Sequence, residues 1–355
     1  MPSVEEVVAA LRKVVDPELG RDIVSLGMVK DVKVEKGRVS FTLELTTPAC
    51  PFNAQIEQQA RESVKGLPGV GEVDMKVTSR VWSARPISQA EPFAGVKNII
   101  AVASGKGGVG KSTVAVNLAL ALAEAGAKVG LLDADIYGPT VPKIIKILSP
   151  PSRASSGKLN PAETYLGVKV MSLGFFVQED SPVIWRGPLL AGALKQLLTD
   201  TEWGEVDYLV VDLPPGTGDA PLTLAQTVPL TGVVIVTTPQ EASVVIASKA
   251  LNMFKTLGIP IIGIVENMSY FRCPGCGEKT HIFGESGGKL VAKSLGVNFL
   301  GELPLNPDIR EYHDMGKPVI VGKPESESAE AFRQLVRNIA GRISVLAHER
   351  GASKG

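Results

Sequence analysis

The stretch Gly105-Lys106-Gly107-Gly108-Val109-Gly110-Lys111-Ser112 decides the fold, because it specifies a ligand and a local topology together. A glycine, four residues, then glycine, lysine and serine is the spacing of a phosphate-binding loop. An apolar run, Ile99-Ile100-Ala101-Val102-Ala103, precedes it, and Thr113-Val114-Ala115-Val116-Asn117-Leu118-Ala119-Leu120 follows as a helical stretch. That strand–loop–helix context is the one the motif requires. Glycines let the backbone turn tightly, so that successive N–H groups converge on a phosphate at the start of a helix. Gly105 to Ser112, with Thr113, are therefore the expected nucleotide-binding residues. Lys111 is expected to neutralise the β- and γ-phosphates, and the Ser112 hydroxyl to hold magnesium.

Working outward, residues from 98 to 348 alternate strand and helix, the pattern of a mostly parallel α/β sheet. The clearest strands are Ile99–Ala103, Val129–Asp133, Val168–Leu173, Tyr208–Asp212, Gly232–Thr237 and Ile261–Glu266. Most are continuously apolar, as strands covered on both faces are. A Pro-, Ser- and Gly-rich excursion, Ser149–Ala162, interrupts the pattern, and a last helix capped by Ser326 or Ser328 carries Phe332, Leu335, Val336, Ile339 and Ile343. Residues 1–82 read as a small α+β domain. Val4, Val7, Val8, Leu11, Val14 and Val15 recur at helical spacing up to Asp16-Pro17, and strands over Met28–Glu35 and Arg38–Thr46 meet at Lys36-Gly37. A helix over Asn53–Lys65 and a strand over Glu72–Thr78 complete it. Residues 83–97, with Pro86, Pro92 and Gly95, read as a linker.

Composition narrows the function. Thirty-seven basic against 37 acidic residues leave no electrostatic footprint for nucleic acid. The N-terminus is acidic and then amphipathic, unlike a cleavable signal. No apolar run is long and unbroken enough to span a membrane. Three cysteines are too few and too odd in number for a disulfide scaffold. The expectation is a cytoplasmic protein in a reducing compartment.

Two further patterns carry chemistry. Leu131-Leu132-Asp133-Ala134-Asp135 and Tyr208-Leu209-Val210-Val211-Asp212 both end strands in aspartates, at the sheet edge where α/β proteins bind ligands. Asp212, followed by Leu213-Pro214-Pro215-Gly216-Thr217-Gly218-Asp219, is the expected magnesium carboxylate of a Walker-B-like strand, with the Gly216 N–H facing the γ-phosphate. A lone strand-end aspartate more often serves turn or cap chemistry, an alternative that stays open for Asp133 and Asp135. Asn267, in Val265-Glu266-Asn267-Met268 at a strand end, is a candidate to pair with the base. The Gly301–Arg310 stretch, with Pro304 and Asp308, resembles the adenine-facing loop of phosphate-loop ATPases; prolines that only punctuate a turn are the alternative there. The second pattern is Cys273-Pro274-Gly275-Cys276. Two thiolates two residues apart can bite one metal or cluster, yet a closed site wants four ligands. The count asks for a symmetric dimer with both pairs on one four-iron, four-sulfur cluster or one tetrahedral zinc. A zinc knuckle with His281, a thioredoxin-like redox pair and unliganded structural cysteines are the alternatives.

Lys106 sharpens the reading, because a second lysine at the front of the loop is not needed to cradle phosphate within one chain. The loop resembles the deviant-Walker, signature-lysine branch of phosphate-loop ATPases, which includes partition and division-site ATPases, the nitrogenase iron protein and the Mrp-type carriers. That resemblance implies a dimer over two ATP molecules, Lys106 reaching the partner's nucleotide, Asp135 positioning the attacking water, and Asp133 near magnesium and Lys111. The set GKGGVGKS, LLDADIYGPT, VVDLPPGTGD, ENMSYF with CPGCG, and HIFGESGG then resembles the Mrp (ApbC) family of iron–sulfur cluster carrier ATPases, in the family's order. Thr46-Thr47-Pro48-Ala49-Cys50-Pro51 is similar to the cysteine motif of SufT-like cluster-assembly domains, which implies cluster hand-over at Cys50; a buried, unreactive Cys50 is the alternative. The family resemblance implies a homodimer that binds ATP and Mg2+, holds a bridging cluster, and exchanges it with scaffold proteins and apo iron–sulfur proteins. The runner-up is a MinD/ParA-like positioning ATPase with a structural zinc knuckle, docking on membrane through the helix of Arg333, Arg337 and Arg342. A solvated arginine face is the plainer account of that helix. A reductase like the nitrogenase iron protein would instead space its cluster cysteines far apart.

Overall fold

A computed structural model describes residues 1–85, 93–135, 138–176 and 187–351. By their contacts these form two units, one of Met1–Ala84 together with the chain from Ala340, the other Arg85–Ile339. The sequence boundaries put 98–348 in one domain, whereas here the end of the last helix groups with the N-terminal residues. Of the expected linker, 86–92 lie outside the described residues, and Val96 already begins a strand.

In the first unit, α1 (Val4–Leu11) opens on a capping box, the Ser3 hydroxyl accepting from the Glu6 N–H while the Glu6 carboxylate accepts from the Ser3 N–H. It ends a turn earlier than the periodicity to Val15 suggests. Val15–Asp16 pairs with Arg21–Asp22, and Asp16 Oδ1 accepts from the Glu18 and Leu19 N–H groups, so the carboxylate organises a turn that competes with the helix. β1 (Val29–Glu35) and β2 (Arg38–Leu45) pair antiparallel across Lys36 (φ 46°) and Gly37 (φ 83°), the positive-φ pair a tight hairpin needs. α2 (Asn53–Lys65) then returns the chain, and β3 (Glu72–Ser79) lies parallel to β2. Alternation along β2 sends Val39, Phe41, Leu43 and Leu45 into a core with Val7, Leu11, Ile56 and Val64.

The second unit is built on β4 (Val96–Ser104), α3 (Lys111–Glu124), β5 (Val129–Asp133), β6 (Lys169–Ser172), α4 (Gly187–Thr199), β7 (Val206–Asp212), α5 (Asp219–Thr227) and β8 (Gly232–Thr237). It continues through α6 (Glu241–Thr256), β9 (Ile261–Arg272), α7 (Gly287–Leu295), β10 (Phe299–Pro304), α8 (Pro307–Asp314) and α9 (Glu327–Glu349). The sheet runs β6-β5-β7-β4-β8-β9-β10, every pair parallel. Ala162–Glu163 lies antiparallel beside β6, and Lys279–Thr280 antiparallel on the end of β9. Ile99 to Ala103 are buried throughout, and α3 is buried from Val114 to Leu122, which explains why both read as apolar on every side. Strands are added to both sides of β4, so its C-terminal end lies at the switch point where α/β sheets bind ligands. Among the features not foreseen, β9 runs to Arg272 instead of ending at Glu266, and Phe299–Pro304 is a strand.

The last helix is capped at Ser326, whose hydroxyl accepts from the Ala329 N–H. Phe332, Leu335, Val336, Ile339 and Ile343 are buried, while Arg333 meets Glu124 at 2.7 and 2.9 Å and Arg337 bonds Glu330. Arg333 and Arg337 are thus engaged along the helix's polar side. No described helix is long and apolar enough to cross a membrane.

Candidate nucleotide site and cysteine hairpin

The loop between β4 and α3 forms one wall of a cavity of about 560 Å³ at the C-terminal edge of the sheet. Two of its glycines, Gly105 and Gly110, are constrained by contact. Gly110 has φ 81°, and a Cβ there would lie 2.2 Å from the Asn267 amide nitrogen; one on Gly105 would meet the Ile246 backbone at 2.6 Å. Lys106, Gly107, Gly108, Gly110, Lys111, Ser112 and Thr113 line the cavity. Val109 instead turns into the core, and Gly105 stays behind the lining. Lys106 forms no ion pair among the described residues.

Lys111 is buried, its Nζ 2.6 Å from Asp212 Oδ1, 3.6 Å from Asp135 Oδ2 and 3.5 Å from Ser112 Oγ. Burial raises the Asp212 carboxyl above its ordinary range and Lys111 pulls it back; Asp135 is raised for the same reason against the same counterion. Asp212 Oδ2 is buried without a hydrogen-bond partner among the described residues. Two carboxylates against one ammonium, one oxygen unpartnered and a hydroxyl adjacent, make a donor set that fits a divalent cation. Asp133 has a different place. Its Oδ1 accepts from the Asp135 N–H, and its Oδ2 from the Val141 N–H and the Ser172 hydroxyl. It does not line the cavity, and burial together with the neighbouring Asp212 charge pushes it up to about 7. In this structure Asp133 is a strut for the turn after β5 and stands apart from the cavity where magnesium was expected. Ile136 and Tyr137, in the same motif, lie outside the described residues. The Gly216 N–H, expected to face the γ-phosphate, donates to the Ser104 carbonyl at 2.9 Å.

The opposite wall comes from β9, β10 and α8. Asn267 and Pro304, the candidates for the base pocket, line it. Asp308 does not, because its carboxylate turns to Lys323 at 2.8 Å while Asn306 caps α8 through the Asp308 N–H. Ile309 and Arg310, at the end of the Gly301–Arg310 stretch, line the cavity as well, while sequence reasoning missed Lys143 and His313. The signal for His313 was the 3.6-residue period of a helix hidden behind Asn306-Pro307, a cap followed by an N1 proline. His313 Nε2 is 3.0 Å from Asn117 Nδ2, which also donates to the Thr113 carbonyl. The amide nitrogen is thereby fixed as donor, Nε2 as acceptor, and burial pushes the imidazole down to about 4.

Beyond the cavity, β9 leads directly into the cysteines. The Cys273 N–H donates to the Glu278 carbonyl and the Gly277 N–H to the Cys273 carbonyl, so both thiols ride on a tight hairpin closed by Lys279–Thr280. Cys273 is half-buried and Cys276 exposed. Backbone N–H groups of Cys276 and Gly275 hold the Cys273 thiol below its ordinary range. Among the described residues no group of three or more His, Cys, Asp and Glu side chains is arranged to hold a metal. His281 Nδ1 faces the Ser269 carbonyl at 2.9 Å.

Cys50, in the first unit, is buried. Its thiol donates to Glu18 Oε2 at 3.4 Å, and burial pushes it well above the usual thiol range. In this conformation it is a protonated thiol, not a ligand.

A parallel sheet with a glycine-rich loop, a buried loop lysine and a strand-end aspartate at the switch point defines a P-loop NTPase. Residues 95–340 match the family of the NUBPL iron-transfer P-loop NTPase, and the chain belongs to that family. Residues 4–75 match the family of the iron–sulfur cluster assembly protein. An iron–sulfur cluster carrier protein of Synechocystis sp. is 47% identical over 352 residues, spanning 98% of this chain and 99% of its own. The nucleotide-binding protein from Archaeoglobus fulgidus, solved in complex with ADP, is 39% identical with a TM-score of 0.59, covering 70% of this chain and 98% of that one. The cell division ATPase MinD of Pyrococcus furiosus, at 24% identity and a TM-score of 0.51 over 68% of this chain and 98% of its own, shares the fold.

Proposed function

We propose that this protein is an ATP-dependent iron–sulfur cluster carrier. It binds and hydrolyses ATP in the loop cavity, holds a cluster between two copies of the chain, and passes it to apo iron–sulfur proteins after receiving it from scaffold proteins. The observation that carries the reading is the hairpin: two thiols in the turn that directly follows a strand lining the nucleotide cavity, with no third ligand among the described residues. Two thiols from each of two protomers supply the four that a four-iron, four-sulfur cluster takes.

In this reading, Lys111 neutralises the β- and γ-phosphates and Asp135 orients the water that attacks the γ-phosphorus. Ser112 and Asp212 hold Mg2+, which supplies charge neutralisation of the triphosphate. Lys106 of one protomer reaches the nucleotide of the other. Asn267 and Pro304 contact the base. Balanced surface charge and three free thiols support a cytoplasmic carrier that binds neither nucleic acid nor membrane. Cys50 takes part in hand-over only after the Thr46–Pro51 segment opens, since a protonated thiol does not ligate.

Anaerobic reconstitution with iron and sulfide, followed by absorption spectroscopy, metal counting and mass under native conditions, tests the proposal. One cluster per two chains is expected. Stoichiometric zinc with no uptake of iron overturns it in favour of a positioning ATPase with a zinc knuckle.

A further inference from the structure

β9 connects the two halves of the proposed site, and it is not a regular strand. Its parallel ladder with β10 breaks between Glu266 and Tyr270, and within the break Met268 has φ 56°. A side chain in that left-handed region is strained by about 1–2 kcal/mol and persists only where its surroundings over-determine it. Here they do. On the cavity side, Asn267 Nδ2 donates to the Val109 carbonyl of the phosphate loop at 2.8 Å, and both Asn267 and Met268 line the cavity. On the far side, the Ser269 hydroxyl donates to Glu266 Oε1 at 2.6 Å, and Glu266 Oε2 accepts from the Gly288 N–H at the start of α7. The Ser269 carbonyl accepts from His281 Nδ1, the residue just past the return arm of the cysteine hairpin. A carbonyl only accepts, so Nδ1 carries the proton.

We propose that the 266–269 bulge couples nucleotide occupancy to the cysteine pair, with Asn267 as its contact to the phosphate loop and the Ser269–His281 bond as its contact to the hairpin. Filling the loop draws its N–H groups onto phosphate and shifts the Val109 carbonyl. Asn267 follows, the strained Met268 joint changes its dihedrals, and the Ser269 carbonyl moves against His281. The hairpin bearing Cys273 and Cys276 is held differently in the loaded and empty states. Ser269 and His281 are positioning residues: they touch neither phosphate nor thiol. The nature of the cargo rests on the carrier reading; the coupling itself does not.

The test uses the full-length, metal-free protein. Alkylation of Cys273 and Cys276 is followed by peptide mass spectrometry with no nucleotide, with ADP·Mg2+ and with a slowly hydrolysed ATP analogue. Saturating nucleotide is expected to change the alkylation rate about fivefold or more, the scale of an ordinary coupling free energy. His281→Ala should keep nucleotide affinity and lose that response; His281→Asn, which returns an N–H near the Nδ1 position, should restore it. Equal wild-type rates with and without nucleotide overturn the coupling, and a full response in His281→Ala overturns this route for it. Failure to take up iron and sulfide would end the carrier reading while leaving both alkylation results standing.

Discussion

Lys111 Nζ lies 2.6 Å from Asp212 Oδ1, so the lysine expected to meet the phosphates is held, in this structure, by the carboxylate expected to meet the metal. The two assignments are therefore linked. A triphosphate that draws Lys111 away leaves Asp212 buried without its counterion, and a divalent cation is what restores the balance. Nucleotide and magnesium should bind cooperatively.

Lys111→Ala is expected to reduce magnesium-dependent ATP turnover by at least about 100-fold, the loss typical of removing a group that stabilises transition-state charge. Nucleotide binding should weaken with it, because the phosphates lose their nearest cation. Steady-state hydrolysis and equilibrium dialysis on the purified variant check both; undiminished turnover would remove the phosphate-loop assignment.

Lys106 has no carboxylate partner among the described residues and needs none if its counterion lies on another protomer. Lys106→Ala should bind ATP nearly as well as wild type and lose turnover. In dimers of one Lys106→Ala chain and one Asp135→Ala chain, the first chain keeps its own Asp135 and receives the partner's intact lysine. About half the wild-type activity should return, whereas each homodimeric variant stays inactive. No recovery at any mixing ratio would count against action across the interface.

Much of this was legible in the sequence because local chemistry dictated it. The loop glycines, the apolar strands Ile99–Ala103 and Gly232–Thr237, and the Lys36-Gly37 turn each have one good conformation. What was not legible depends on contacts distant in the chain. Asp133 and Asp135 look alike in Leu131-Leu132-Asp133-Ala134-Asp135, and what sets the first apart includes a bond from Ser172, 39 residues on. Asp308 lost its place in the base pocket to Lys323. The extension of β9 to Arg272 was hidden because its break at Met268 interrupts the apolar run that marks a strand.

His313 gives a pH prediction. Its Nε2 accepts from Asn117, and protonation would replace that acceptor with a donor. The imidazole is pushed down to about 4 from 6.5, so the unfolded chain binds the proton more readily than the folded one. Stability tied to His313 is fully present above pH 6.5 and drains away as pH falls towards 4, by up to about 3 kcal/mol. Chemical denaturation at several pH values should show that slope in wild type. His313→Gln, which cannot titrate, should flatten it; an unchanged slope in the variant would assign the effect to other groups.

The cysteines give the sharpest prediction. Cys273 and Cys276 are the thiols of one hairpin, and no described side chain completes a four-ligand set with them. In the proposed reading a cluster held by this pair draws its other ligands from a second chain, so one cluster, about four iron atoms, is expected per dimer. Replacing either cysteine with serine leaves one good thiolate per protomer, and the cluster should be lost or become labile. The double variant Cys273→Ser, Cys276→Ser should take up no stable iron while still binding ATP, since neither residue lines the cavity. Cys50→Ser should keep the bridging cluster, because Cys50 belongs to the other unit and its thiol is engaged with Glu18. Iron and sulfide analysis with native mass, in wild type and each variant, separates these outcomes. Full iron retention in the double variant would sink the assignment. Loss of the cluster in Cys50→Ser would move the ligand set into the N-terminal unit.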